Sequence, residues 1–181
     1  EALRARCRAA AHPGPFRIPR VTFASLSMAA ALILVVGGVL LYSLTGLSPA
    51  VLAAQLTIDH VTCFAVHDTD ASVDARASEE RYARDYGRQI RLPRTSAAGL
   101  QLVGVRRCYC GEGAAAHVMY RLQGRPVSLY MIADTSRSRA GADVFGHDAV
   151  MWSKQGTTYV LVSRGPRATL ETLALALDGG L

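Results

Sequence analysis

The sequence predicts an α+β protein in which a single N-terminal transmembrane helix is followed by an antiparallel β-meander domain with flanking helices. Three observations predict it. No charged residue occurs between Val21 and Ile58, a window that holds the run ASLSMAAALILVVGGVLLYSL. Downstream, short alternating or apolar runs follow one another with glycine-containing turns between them, the pattern of hairpins. The chain then closes on TLETLALAL, whose apolar spacing is helical. Of the 181 residues, half are hydrophobic and 19% are charged, which excludes a disordered chain. Four cysteines in this length exclude a small disulfide-stapled scaffold.

The apolar window comes first. A hydrocarbon core about 30 Å thick needs about 20 apolar residues in a helix, and residues 21–46 supply them. A cleaved signal peptide carries a shorter apolar core. Arg4, Arg6, Arg8, Arg17 and Arg20 precede the window, and the next basic residue is Arg76. Such asymmetry places the basic end inside the cell. The expected domains are therefore a cytoplasmic Arg-rich tail (1–20), a transmembrane helix (21–46) and a periplasmic domain (47–181). The expected location is a bacterial inner membrane, with membrane lipid as one partner. The net charge of +6 does not argue for nucleic acid. The tail carries most of it, and the other 15 basic residues face 13 acidic ones.

In the outer domain, PAVLAAQLTIDHVTCF (49–64) is read as a helix with Pro at an early position. Its β-branched end leaves a strand as the alternative for TIDHVTCF. Residues 67–77 are loop-like. Ser78 is the expected cap of a short helix, EERYARDY, which Gly87 closes. Strands are expected at RQIRL (88–92), LQLVGVRRCYC (100–110), AAHVMYRL (115–122), PVSLYMIA (126–133), AVMWSK (149–154) and TTYVLVS (157–163). The stretch ADTSRSRAGADVFGHD is read as a flexible or functional loop. Thr169–Leu177 is the expected final helix, covering one sheet face.

The order LVGVRRCY, GEGAAAHVMYRLQGRPVSLYM, VMWSKQGTTYVLVS and a short helix resembles the periplasmic domain of transmembrane anti-sigma factors of the zinc-finger anti-sigma type. That family carries a W-S-x-x-G turn followed by a Y-x-x-VS strand, matched here by Trp152–Gly156 and Tyr159–Ser163. Asp59-His60, after the membrane helix, also matches the family's beginning. The resemblance spans roughly residues 47–177 and the topology. It implies a non-enzymatic regulator in envelope signalling and transcriptional control. Its partner would be a sigma factor, held by a cytoplasmic domain with an H-x3-C-x2-C zinc motif. The 20 residues ahead of the window carry only Cys7 and His12 and lack that motif. The alternative is an accessory subunit clamping its neighbours in a larger respiratory or photosynthetic membrane complex.

A periplasmic metal sensor is a further alternative. On a helix, His60 and Cys63 share a face. Cys108 and Cys110 share a strand face. Together His60, Cys63, Cys108 and Cys110 are a candidate site for Zn²⁺ or copper. The competing readings are a disulfide from Cys63 to Cys108 or Cys110 in an oxidising compartment, or three buried thiols. A bridge within C-x-C is disfavoured, since the two Cα atoms of an extended strand lie nearly 7 Å apart. His117 depends on register. A three-residue turn at 111–113 puts it opposite the cysteine face, and a four-residue turn pairs it with Cys108. His147 is read as an exposed turn residue. No enzyme is expected, because Ser128 and Ser163 lie in strands without a nucleophile elbow. No phosphate loop and no C-x-x-C-H haem motif occur. Trp152, Tyr120, Tyr130 and Tyr159 are read as sheet-packing residues.

Overall fold

A computed structural model describes residues 23–44, 48–66, 72–93 and 99–180. The predicted basic tail, with Arg4, Arg6, Arg8, Arg17 and Arg20, lies outside the described residues, as do Cys7, His12 and His67. The chain forms two compact units, Glu1–Leu40 and Leu41–Leu181. Helix α1 (Phe23–Leu44) has 22 residues and no charged side chain. Its residues 27–42 are exposed on every side.

The second unit is α+β. Six strands form one antiparallel sheet: β1 (Leu100–Cys110), β2 (Gly113–Leu122), β3 (Arg125–Ala133), β4 (Ala140–Val144), β5 (His147–Lys154) and β6 (Thr157–Ser163). Their order is β1-β2-β3-β6-β5-β4. The expected continuous meander is thus two three-strand meanders joined through β3 and β6. Three hairpins turn on Gln123-Gly124, Phe145-Gly146 and Gln155-Gly156, each with positive φ at both residues. That is the type I′ turn, whose twist matches the flanking strands.

Helix α2 (Pro49–Val66) covers one sheet face, so the strand alternative for TIDHVTCF is not realised. By length and composition α2 is apolar enough to cross a membrane. Yet Leu52, Ala53, Leu56, Thr57, His60 and Cys63 are buried at helical spacing. Leu52 and Leu56 pack on Cys108, Tyr130, Ile132, Met151 and Val160. Each fully buried Leu contributes about 2 kcal/mol of apolar burial. Helices α3 (Ala75–Tyr86) and α4 (Arg167–Gly179) cover the other face. There Tyr82, Leu170, Leu173 and Leu177 meet Val118, Tyr120, Leu129, Val150, Trp152 and Leu161. The aromatic residues expected to pack the sheet do so, and Trp152 stacks on Tyr159 at 5.4 Å.

Several local expectations are corrected. Asp74, not Ser78, caps α3 by accepting from Ala77 N at 2.8 Å. Gly87 closes that helix in the left-handed conformation at φ 67°, as expected. RQIRL is not a strand. Leu92 is buried, but its N–H donates to Glu79 Oε1 at 2.6 Å rather than to a strand neighbour. The predicted loop 133–148 contains strand β4, paired with β5 through the Phe145-Gly146 turn.

Candidate functional site

Between α2 and the sheet lies a buried polar chain. From α2 it takes Asp59, His60 and Cys63, which the helix repeat brings to the sheet side. From the sheet it takes Arg106 of β1, His117 of β2, and Ser128 and Tyr130 of β3. Strand registry places these together: Arg106 stands opposite His117, and His117 opposite Tyr130. The β1–β2 turn has two residues, Gly111 and Glu112, pairing Cys110 with Gly113 and Cys108 with Ala115. Neither turn length considered from the sequence is the observed one. His117 consequently lies on the cysteine face, fully buried.

A bulge between Leu102 and Gly104 re-aims β1. Before it, Leu100 and Leu102 face α3 and α4. After it, Cys108 faces α2. Gly104 fits here because a Cβ would lie 2.8 Å from the Met119 terminal methyl.

The hydrogen bonds run in series. Asp59 Oδ2 lies 2.9 Å from His117 Nδ1. His117 Nε2 lies 2.7 Å from Ser128 Oγ, and Ser128 Oγ lies 2.7 Å from His60 Nδ1. Arg106 Nη2 donates to Asp59 Oδ1 at 2.5 Å. Tyr130 OH donates to Leu56 O at 2.8 Å and sits 3.0 Å from Asp59 Oδ2. Its ring stacks on His117 at 4.3 Å. Burial pushes the Asp59 carboxyl up, but the bond and charge of His117, then the Arg106 charge and the bond from Tyr130, outweigh it and hold it down at about 2. Burial, then His147 and His117, lowers His60 to about 3. The Ser128 hydroxyl bridges the two rings, donating to one nitrogen and accepting from the other. His60 Nε2 lies beyond the end of this chain.

Asp59, His117 and Ser128 have the connectivity of a hydrolase triad. Ser128 nevertheless cannot act as a nucleophile here. It is fully buried in the middle of a central strand, with a histidine on each side of its hydroxyl. A reacting carbonyl needs to approach to about 3 Å. The arrangement is a structural relay that ends on His60.

The predicted metal set is dispersed. Among the described residues, the three groups with converging ligand atoms are Asp59, Cys63 and His117, within 4.8 Å of one another. His60 instead bonds Ser128 and meets His147 edge-on at 5.3 Å. Cys108 packs under Leu52 and Leu56, and Cys110 sits at the hairpin end, bonded to Gly113 O at 3.6 Å. Cys63, Cys108 and Cys110 are not joined in disulfides. Burial, with the Asp59 carboxylate adding to it, pushes Cys63 up to about 11 and Cys108 up to about 12. His147 is buried rather than exposed, and its Nδ1 donates to Phe145 O at 3.1 Å.

Sequence reasoning named Asp59-His60 and His117, set Ser128 aside, and missed Arg106, the role of Tyr130 and the burial of His147. No family model, curated protein or solved structure matches this chain.

Proposed function

We propose that the chain is a non-enzymatic, single-pass inner-membrane protein. Its N-terminus is cytoplasmic and its α+β domain periplasmic, and it acts in envelope signalling in the manner of an anti-sigma factor. The observation that carries the membrane part is α1. A helix that is apolar all round needs an apolar solvent. Leu32, Ile33, Leu34, Val36 and Leu40 are each more than half exposed. Its 22 residues extend about 33 Å at 1.5 Å per residue, enough for the hydrocarbon core. The five arginines ahead of it give the direction.

The regulatory part is supported by the hairpin motifs and by how α2 docks. Signalling across a membrane needs an outer domain with two states whose balance a signal shifts. Helix α2 begins five residues after α1 ends. It is fixed to the sheet by a polar chain with strict geometry as well as by apolar contacts. Changing that chain is the most direct way to change the docking of α2.

Protease added to sealed spheroplasts tests the topology. Fragments from residues 72–180 should appear while an N-terminal tag survives. Loss of the tag with survival of the domain would overturn the orientation. A second reading, the accessory subunit, is favoured by one observation: Ile58, Val61 and Val66 leave an exposed apolar stripe on α2. Stoichiometric co-purification with an integral complex would favour that reading over regulation.

A further inference from the structure

A cavity of about 520 Å³ opens where β3 and β5 begin, β6 ends and the last turns of α2 cover the sheet. Its size is that of a small-molecule site. Val61, Phe64 and Pro126 give it an apolar wall. His60 and His147 lie at its buried side, 3% and 6% exposed. Arg125 and Arg164 lie at its exposed side. No acidic residue lines it.

The polar groups are divided by depth. His60 spends Nδ1 on Ser128, and His147 spends Nδ1–H on Phe145 O. Each imidazole therefore has its Nε2 left over. His60 Nε2 has no hydrogen-bond partner among the described residues, and the ring borders the cavity. A hydroxyl, which both donates and accepts, satisfies either tautomer. At the mouth, the guanidiniums of Arg125 and Arg164 make no ion pair among the described residues. Two cations at the entrance, with no carboxylate lining the cavity, call for an anion and oppose a metal ion.

We propose that this cavity binds a small phenolic carboxylate, its hydroxyl hydrogen-bonded at the inner histidine pair and its carboxylate held by Arg125 and Arg164 at the mouth. The ring lies against Phe64 and Pro126, where an aromatic body gains most from burial. This deepens the sensory reading by naming the class of signal. Binding itself does not depend on whether α1 crosses a bilayer, so failure of the two tests is distinguishable.

The test is isothermal titration of the full chain in lipid nanodiscs, with empty nanodiscs subtracted. The probes are 4-hydroxybenzoate, 4-hydroxyphenylacetate and 3-(4-hydroxyphenyl)propionate. The matched controls are 3-phenylpropionate, which lacks the hydroxyl, and tyramine, which replaces the anion with a cation. At least one phenolic acid should bind, with 3-phenylpropionate and tyramine each weaker by about tenfold or more. Arg125→Gln with Arg164→Gln, both at exposed positions, should weaken the phenolic acid by about tenfold or more. His60→Asn should narrow the ratio of phenolic-acid to 3-phenylpropionate affinity. Thermal unfolding followed by Trp152 fluorescence establishes that each variant is folded. Absence of binding by all three acids up to millimolar concentration would overturn the proposal. So would tyramine binding as well as the acids, or unchanged affinity in the folded double arginine variant.

Discussion

Ser128→Ala is the sharpest probe of the buried chain. The change removes one hydroxyl from a fully buried position and creates a hole of a single oxygen, so packing loss is small. The polar loss is not small. Ser128 Oγ lies 2.7 Å from both His60 Nδ1 and His117 Nε2. Without it, one buried N–H donor and one buried acceptor lose their partner together. An orphaned buried polar group costs about 1–3 kcal/mol. The two rings remain held elsewhere, His117 by Asp59 and Tyr130 and His60 by Phe64 and His147. They therefore have little freedom to find substitutes. The expected destabilisation is about 2–4 kcal/mol. Ser163→Ala supplies the internal control. Its hydroxyl makes one bond, to Pro126 O at 2.9 Å, at the end of β6. That change should cost about 1 kcal/mol. Urea unfolding of the full chain in nanodiscs, read by Trp152, measures both. Trp152 is the single tryptophan and sits buried against Tyr159. If Ser128→Ala lies within about 0.5 kcal/mol of wild type, or costs no more than Ser163→Ala, the chain does not hold α2 as argued.

Three further outcomes are expected. His60 resists protonation down to about 3 in the fold but titrates near its ordinary value when unfolded. Stability should therefore fall as pH drops from about 6.5 toward 3, by about 1.4 kcal/mol per pH unit for this one proton. His60→Asn should remove that slope, and an unchanged slope would refute the assignment. Asp59, held at about 2, contributes stability that is present above about pH 4 and lost as pH falls through 2, amounting to about 2 kcal/mol or less. Asp59→Asn should abolish that acid-limb loss in unfolding curves. Iodoacetamide should modify the half-buried Cys110 well before Cys63 and Cys108, whose thiols are buried and pushed up. Site-resolved mass spectrometry reads this directly, and a Cys63–Cys108 disulfide in unreduced protein would contradict the unbridged arrangement.

The sheet was largely legible because five of its strands alternate and the turns at Gln123-Gly124 and Gln155-Gly156 carry a glycine. Strand β4 was not. AGADV lacks a run of β-branched or aromatic residues, and its pairing is imposed by the Phe145-Gly146 turn and by the neighbouring β5. RQIRL erred the other way, since its alternation suits a strand but the Glu79 carboxylate takes the Leu92 N–H. The site was legible only in fragments. Strict alternation along LQLVGVRRCYC puts Cys108 on the face of Leu100 and Leu102. The bulge at Gly104 reverses this, and no spacing rule announces it. Ser128 was set aside because nothing near it in sequence resembles catalytic machinery. Its partners stand 68 and 11 residues away; the β2–β3 hairpin brings up His117, and only the docking of α2 brings up His60.

That docking explains why a polar chain is retained where a leucine would fit. The apolar contacts of α2, from Leu52, Ala53 and Leu56, are non-directional and tolerate a shifted or rotated helix at modest cost. Hydrogen bonds within a low-dielectric interior do not tolerate it. Moving α2 by one residue would rotate Asp59 and His60 by about 100°. It would part Asp59 from Arg106, Tyr130 and His117, and His60 from Ser128, leaving only the His117–Ser128 bond within the sheet. Several orphaned groups at about 1–3 kcal/mol each exceed what the leucines could recover by sliding. The apolar half of the interface therefore supplies most of the attraction, and the polar half selects one register. An interface of this kind has few intermediate positions: α2 is either seated with every bond made or released. The same chain reaches the cavity at His60 Nε2, so the group that fixes the helix is also the one a ligand would touch.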